Sequence, residues 1–402
     1  MLVPLVVSRT ASGAGDAVQL VAIVWMATSS AEPGRKIALI GLCYLLPAAL
    51  FGPVAGMLAD RMNRCALAVL CDTVRIVCTL MLVPALAVLG FIGLLAVLFI
   101  YACASLTFTV SLSSALPDWV PGGALLRANS LLATSGYIAA IVGSSIGGIL
   151  LTMSGRVPFF ANSVLLFASA LSLFVLRLGT QRCPVPLDET ESRSSFKEVL
   201  GYVFFDRRLR LLVILSTCAV VSFAPSLAAL AVLVNVELHG TSTDYGLVQA
   251  GTTAGLAAGA VVVALAGRRT KSQMQTVGVS YVLMGVMTIL LSRVATITGA
   301  VLLVVLRSGA NSAGSVMLQT MVQQRTTSRL RGRVLSVFGS FQEGARGAVL
   351  PLAGWLVDLV GPRLVLLAMG LALLLPGGIA VLTGRTRRDL DRRRETSMGG
   401  SS

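Results

Sequence analysis

Long apolar runs alternate with short polar breaks along the whole chain. The runs fall at 10–29, 37–58, 66–89, 91–115, 127–152, 157–178, 209–236, 244–266, 272–292, 295–321, 334–360 and 363–383. A helix needs roughly 20 apolar residues to cross the hydrocarbon core of a bilayer. In that core the backbone must satisfy its own hydrogen bonds, which leaves helices as the form these runs take. The pattern predicts twelve transmembrane helices. Two breaks are very tight, Leu89-Gly90-Phe91 between spans 3 and 4 and Gly361-Pro362-Arg363 between spans 11 and 12.

The longest polar segment lies in the middle and divides the chain in two. It holds Pro184, Pro186, the acidic group Asp188, Glu189 and Glu191, and then Ser192-Arg193-Ser194-Ser195. From Phe196 to Phe205 apolar residues recur at helical spacing with charges between them. This predicts an amphipathic helix lying along the inner face. The expected organisation is a six-helix bundle over 1–178, a linker over 179–208, a second six-helix bundle over 209–384, and a basic disordered tail over 385–402. Six spans, a linker and six spans make a two-fold pseudo-repeat of the kind found in carriers.

Composition agrees with the pattern. Of the 402 residues, 55% are hydrophobic and only 12% are charged, against about 25% charged in a soluble globular domain. The mean hydropathy is +0.87. The net charge of +15 does not mark a nucleic-acid binder, because the basic residues are spread over many short loops. With the N-terminus inside and twelve spans, 24 of the 32 Lys and Arg fall in inside segments and 5 in outside ones. That asymmetry follows the positive-inside rule and predicts both termini on the inner side of the membrane. The seven cysteines contain no C-x-x-C pair and fall mostly inside apolar runs, as small buried hydrophobes. No metal, phosphate-loop, dinucleotide or nucleophile motif occurs, so neither an enzyme nor a cofactor is expected. Glycines 143, 147 and 148 lie in an apolar helix and are read as packing residues, not a phosphate cradle.

Between spans 2 and 3 the sequence Gly52-Pro53-Val54-Ala55-Gly56-Met57-Leu58-Ala59-Asp60-Arg61-Met62-Asn63-Arg64 resembles the G-x-x-x-D-R-x-x-R signature of the major facilitator superfamily. Further stretches resemble its bacterial efflux branch of enterobactin, macrolide and multidrug exporters. These are Ser12-x-x-Gly15-Asp16, Arg127-Ala128-Asn129-Ser130, Leu330-Arg331-Gly332-Arg333-Val334-Leu335-Ser336 and Gly354-Trp355-Leu356-Val357-Asp358. Antiporters of the superfamily often carry G-P-x-x-G-G in span 5. Here Gly143-Ser144-Ser145-Ile146-Gly147-Gly148 lacks the proline, so the usual bend is not expected. The resemblance implies a proton-coupled, monomeric carrier of a small apolar or amphipathic compound, with Gly52, Gly56, Asp60, Arg61 and Arg64 as a latch between states. Gly52 and Gly56 are expected to let spans 2 and 11 pack closely. An uptake symporter of the same fold, or a sensor that no longer transports, fits the same residues.

Charges inside the apolar runs carry the sharper signal, because each costs at least about 2.5–3.5 kcal/mol at mid-bilayer and needs a reason. Asp16 lies in span 1, Asp72 and Arg75 in span 3, Arg307 in span 10, and Glu343 and Arg346 in span 11. Asp72 with Arg75 and Glu343 with Arg346 are i, i+3 pairs that meet on one helix face. Proton coupling needs a buried carboxylate exposed alternately to the two sides, and Asp16 and Glu343 are the candidates. Asp16 has no basic partner on its own helix. Arg307 is expected to partner Glu343 from the adjacent span.

Overall fold

The computed structural model describes residues 2–120, 124–179, 205–266, 273–326 and 331–399. These form twelve α-helices and no strand. The helices are α1 (Leu2–Thr28), α2 (Pro33–Arg61), α3 (Arg64–Trp119), α4 (Leu125–Met153), α5 (Val157–Gly179), α6 (Arg207–Phe223), α7 (Ser226–Val232), α8 (Ser242–Ala266), α9 (Gln273–Leu291), α10 (Ile297–Arg325), α11 (Arg331–Val360) and α12 (Pro362–Gly399). A π-helical turn over Leu233–Glu237 extends α7. Nearly all of the linker, and with it the amphipathic helix expected before Phe205, lies outside the described residues.

Helices and predicted spans do not correspond one to one, and the differences have local causes. Spans 3 and 4 are two limbs of α3, broken at Gly90, where φ is 67° and ψ −156°. A side chain is disfavoured there, and glycine is not. Straight, 56 residues would reach about 84 Å at 1.5 Å per residue, far beyond the roughly 30 Å core. Span 7 is split into α6 and α7 at Pro225, which has no N–H to donate and crowds the preceding turn. Helix α2 bends by 45° between Ala48 and Leu50, four residues before Pro53, the carbonyl that proline leaves unpaired. Helix α4 runs unbroken through the stretch that lacks the proline. The last helix continues to Gly399, through most of the segment expected to be a disordered tail.

By length and composition nine of the described helices are able to cross a membrane, or ten when the bent α2 counts as one. A total of twelve crossings requires α3 to count twice and α11, which carries Glu343 and Arg346, to be included. Burial is inverted relative to a soluble protein. Val88, Ile92, Leu265 and Leu375 are exposed, while Asp72, Arg75 and Arg307 are fully buried. An exterior of that kind is solvated by lipid.

The chain forms two compact units. The first gathers the N-terminal half with Leu230–Ala250 and Leu350–Leu359. Its core includes Leu5, Leu67, Phe108, Leu112 and Leu173. There α1 lies directly on α4, because a Cβ on Gly147 would come within 2.9 Å of Val18 Cα and one on Gly143 within 2.9 Å of Ala14 Cα. Only small residues permit that approach. The second unit holds most of the remaining C-terminal half, around a core that includes Leu209, Leu212, Val277, Tyr281, Leu318 and Phe338.

Candidate functional site

Three helices of the first unit, α1, both limbs of α3, and α5, bring polar side chains to one buried point. Arg75 on the first limb of α3 is fully buried and spreads its guanidinium over both carboxylates. Its Nη1 donates to Asp72 Oδ1 at 2.8 Å and to Ser12 Oγ at 2.8 Å. Its Nη2 donates to Asp16 Oδ1 of α1, and to Tyr101 Oη of the second α3 limb at 3.2 Å. The Tyr101 hydroxyl donates in turn to Asp16 Oδ1. The guanidinium carbon lies 5.1 Å from the Tyr101 ring centroid and 5.4 Å from that of Phe108, so aromatic faces add cation–π attraction to the ion pairs.

The network extends along α1 and α5. Asp72 Oδ2 accepts from Ser169 Oγ at 2.6 Å, and Ser169 meets Ser8 at 2.8 Å. On the other side Asn162 Nδ2 donates to Gln19 Oε1 at 2.7 Å, to Thr79 Oγ1 at 3.2 Å and to Tyr101 Oη at 3.3 Å. Thr79 also donates to Gln19 Oε1 at 2.9 Å. Asn162 Oδ1 is buried and has no donor, so the cluster keeps one open acceptor. Charge balance separates its members. With both acids ionised, one arginine faces two carboxylates and the cluster carries one excess negative charge. Asp72 and Arg75 are sealed, with side chains 0% exposed, whereas Asp16 is 34% exposed. Asp16 is therefore the carboxylate of the cluster that reaches outward.

Asp16 is not the unpartnered acid that its own helix suggested, because Arg75 reaches it from α3. The partner expected for Glu343 is also different. Arg307 of α10 is fully buried and donates from Nε to Thr288 Oγ1 at 3.0 Å and from Nη2 to Ser226 Oγ. Its guanidinium sits 4.5 Å from the Phe223 ring centroid, and Nη1 has no partner. Among the described residues no acid pairs with it. Ser226 opens α7 just after the Pro225 break, so Arg307 is held at the discontinuity of a helix. Glu343 instead meets Arg346 at 3.2 Å, with side chains 35% and 42% exposed. The reason is reach along the helix, since an i+3 neighbour is always near and a side chain on another helix is near only if the faces match.

The loop between α2 and α3 is placed as follows. Arg61 is exposed, Arg64 Nη1 donates to the Ser114 carbonyl at 2.7 Å, and Asn63 caps α3 by accepting from the Ala66 N–H at 3.0 Å. The side chain of Asp60 lies outside the described residues. Gly52 and Gly56 do not mediate a close contact: a Cβ on either would meet nothing within 4 Å. The close approach of α2 to α11 occurs at the other end of α2, between Gly34 and Gly354. Gln19, Thr79, Asn162 and Ser169 were not singled out from the sequence. Amides as rare as Gln19 and Asn162 in the middle of apolar runs were the available signal. A cavity of about 300 Å³ lies further along α1, lined by Ile23, Met26, Ile40, Leu82, Phe91 and Leu94 among others, and no side chain of the cluster lines it.

Helices that turn apolar faces outward and hold a charge network inside define a multi-pass membrane protein of the carrier type. The Major Facilitator Superfamily profile matches residues 5–348, and the chain belongs to that superfamily of transporters. The multidrug efflux pump Tap of Mycolicibacterium fortuitum is 25% identical over 386 residues, 94% of each chain. The MFS-type transporter YfiS of Bacillus subtilis is 28% identical over 226 residues, which are 55% of this chain and 53% of that relative. Among solved structures, a bacterial homologue of the lysosomal transporter Spinster in an inward-facing, occupied conformation is similar, with a TM-score of 0.76, 16% identity and 96% of each chain covered. A bacterial homologue of ferroportin in an inward-facing state has a TM-score of 0.75 at 14% identity, covering 94% of this chain and 97% of that one. At these identities the solved structures establish the fold.

Proposed function

We propose that this protein is a proton-coupled carrier that exports a small apolar or amphipathic compound by alternating access, with Asp16 as the proton-carrying group. The observation that carries the reading is the charge count of the cluster. Two carboxylates share one buried arginine, and only one of them, Asp16, is partly exposed. A single proton on Asp16 brings the cluster to neutrality, which favours its passage through a low-dielectric interior. The same proton frees one arm of Arg75, so protonation changes how α1 is tied to α3.

Export rather than uptake is supported by the full-length similarity to a multidrug efflux pump. The apolar or amphipathic cargo is supported by the small number of charges in the helices. Twelve crossings with both termini in the cytoplasm are supported by the distribution of Lys and Arg over the loops. In this reading the loop of Asp60, Arg61 and Arg64 acts as an inner latch.

The test uses inverted vesicles with an imposed pH gradient and a fluorescent amphipathic cation as probe. Wild-type protein accumulates the probe when the lumen is acidic. Asp16→Asn, which keeps the hydrogen bonds but not the titratable charge, is expected to lose at least about tenfold in gradient-driven transport, the cost of about 1.4 kcal/mol in coupling. Equal gradient-driven accumulation by wild type and Asp16→Asn sinks the assignment of Asp16.

A further inference from the structure

An eight-residue pattern occurs twice in the chain. Pro53-Val54-Ala55-Gly56-Met57-Leu58-Ala59-Asp60 ends α2, and Pro351-Leu352-Ala353-Gly354-Trp355-Leu356-Val357-Asp358 ends α11. The two agree at the proline, the alanine, the glycine, the leucine and the aspartate. In the topology proposed above, α2 runs inward and α11 runs outward. The two copies therefore lie at opposite ends of the helix pair, the first inside and the second outside.

At the second copy the contact is complete. The first turn of any helix leaves N–H groups without intrahelical partners. At the start of α2, Pro33 has no N–H, and Glu32, in the N-cap position, makes no side-chain cap. Its carboxylate is taken by Arg35 Nη1 at 2.6 Å. The open donors are satisfied from outside the helix. Asp358 accepts the Gly34 N–H at 2.7 Å through Oδ1 and the Arg35 N–H at 2.9 Å through Oδ2. A carboxylate there also meets the positive end of the helix dipole. The bidentate grip requires the two backbones to touch. A Cβ on Gly34 would collide with the Gly354 carbonyl and lie 2.8 Å from Asp358 Oδ1, and a Cβ on Gly354 would lie 2.5 Å from Ala38 Cβ.

We propose that Asp358, Gly354 and Gly34 form an outer latch that holds α2 and α11 together and must break and re-form in each transport cycle. It joins the last turns of α11, within Leu350–Leu359, to helices of the same compact unit. Three further contacts of that unit involve the loop-proximal parts of helices whose loops the charge pattern places outside. Asn235 Nδ2 donates to Thr28 Oγ1 at 2.9 Å, Ser242 Oγ donates to the Gly148 carbonyl at 2.8 Å, and Trp25 stacks on Tyr245 at 5.8 Å between centroids. None of these contains a full charge. Asp358 supplies the charged element of the closure. The inference rests on the carrier reading and on its topology, but its test needs neither substrate nor proton gradient.

The full chain carrying Thr28→Cys is reconstituted in right-side-out vesicles and labelled with a membrane-impermeant maleimide, with labelling of the protein lacking that cysteine subtracted. Thr28 is buried beside Asn235 in the closed arrangement. Loss of the cap in Asp358→Ala is expected to raise the labelling rate about five- to tenfold, the shift that a helix-capping contact exerts on a two-state equilibrium. Gly34→Ala attacks the same contact sterically, leaves the charge in place and is expected to act in the same direction. Ala59→Cys, buried near the opposite end of α2 and labelled with the same reagent in inverted vesicles, is the control for general loosening. A rise at Thr28 without a rise at Ala59, in whichever variant folds, supports the latch. No rise at Thr28 in either variant, or an equal rise at both positions, overturns it. Failure of wild-type protein to transport any probe sinks the carrier reading and leaves the labelling result standing.

Discussion

Arg75 and Arg307 are both fully buried arginines in apolar helices, and the protein satisfies them in opposite ways. Arg75 holds two carboxylates, two hydroxyl oxygens and two aromatic faces. Arg307 has two hydroxyls and one ring and, among the described residues, no carboxylate, while each arginine keeps one nitrogen without a partner, Nε of Arg75 and Nη1 of Arg307. An ion removed from water costs several kcal/mol after relaxation. At Arg75 that cost is offset by counter-charge in excess of what one arginine needs. At Arg307 it is offset only by dipoles and a ring quadrupole. The first site has one negative charge too many and suits a proton. The second has one positive charge too many and sits where α6 breaks into α7, the kind of interrupted helix around which carriers build binding sites.

The comparison is broken or sharpened most strongly at Arg75. Arg75→Met leaves the buried Asp72 and the partly exposed Asp16 without a cation, and is expected to destabilise the fold by about 3–5 kcal/mol. Thermal unfolding in detergent reads this as a large drop in Tm, and a melting curve equal to wild type removes the claim that Arg75 is the keystone of its cluster. Arg307→Met removes a charge that no acid balances among the described residues. It is expected to be neutral or to stabilise by up to about 4 kcal/mol, while transport falls. If Arg307→Met melts as early as Arg75→Met, the second arginine has a counter-charge that the described residues do not contain, and the contrast fails. The smallest effect belongs to Glu343→Gln. Its pair with Arg346 is more than a third exposed, and exposed pairs contribute about 0–1 kcal/mol. An unchanged Tm is expected, and a shift as large as that of Arg75→Met contradicts the exposure of the pair.

Much of this protein was legible along the chain. The apolar runs located the apolar helices, though not the split of span 7 or the extension of the last helix, because the length needed to cross hydrocarbon is fixed by the bilayer and written as consecutive residues. The i, i+3 pairs Asp72–Arg75 and Glu343–Arg346 were readable for the same reason, since helix geometry fixes that separation. Asp16 was singled out as an acid in an apolar run, but its tie to Arg75 was not. Nothing in linear order says which face of α1 meets which face of α3. The same ignorance assigned Arg307 to Glu343 and placed the close contact of α2 at Gly52 and Gly56 instead of Gly34. Pro225 was not read as a break in span 7, and nothing in linear order placed Arg307 on the serine that follows it.

The sequence by itself determined that this chain lives in a membrane, is helical throughout its described length, and carries a few charges where charges are costly. Those properties are sums over neighbouring residues, and local chemistry decides them. Only the tertiary structure decided which charges share a site, that Arg75 serves two acids while Arg307 serves none among the described residues, and that Asp358 closes the start of α2 from more than three hundred residues away. Helix rotation and helix pairing set those partners, and both depend on packing over the whole bundle.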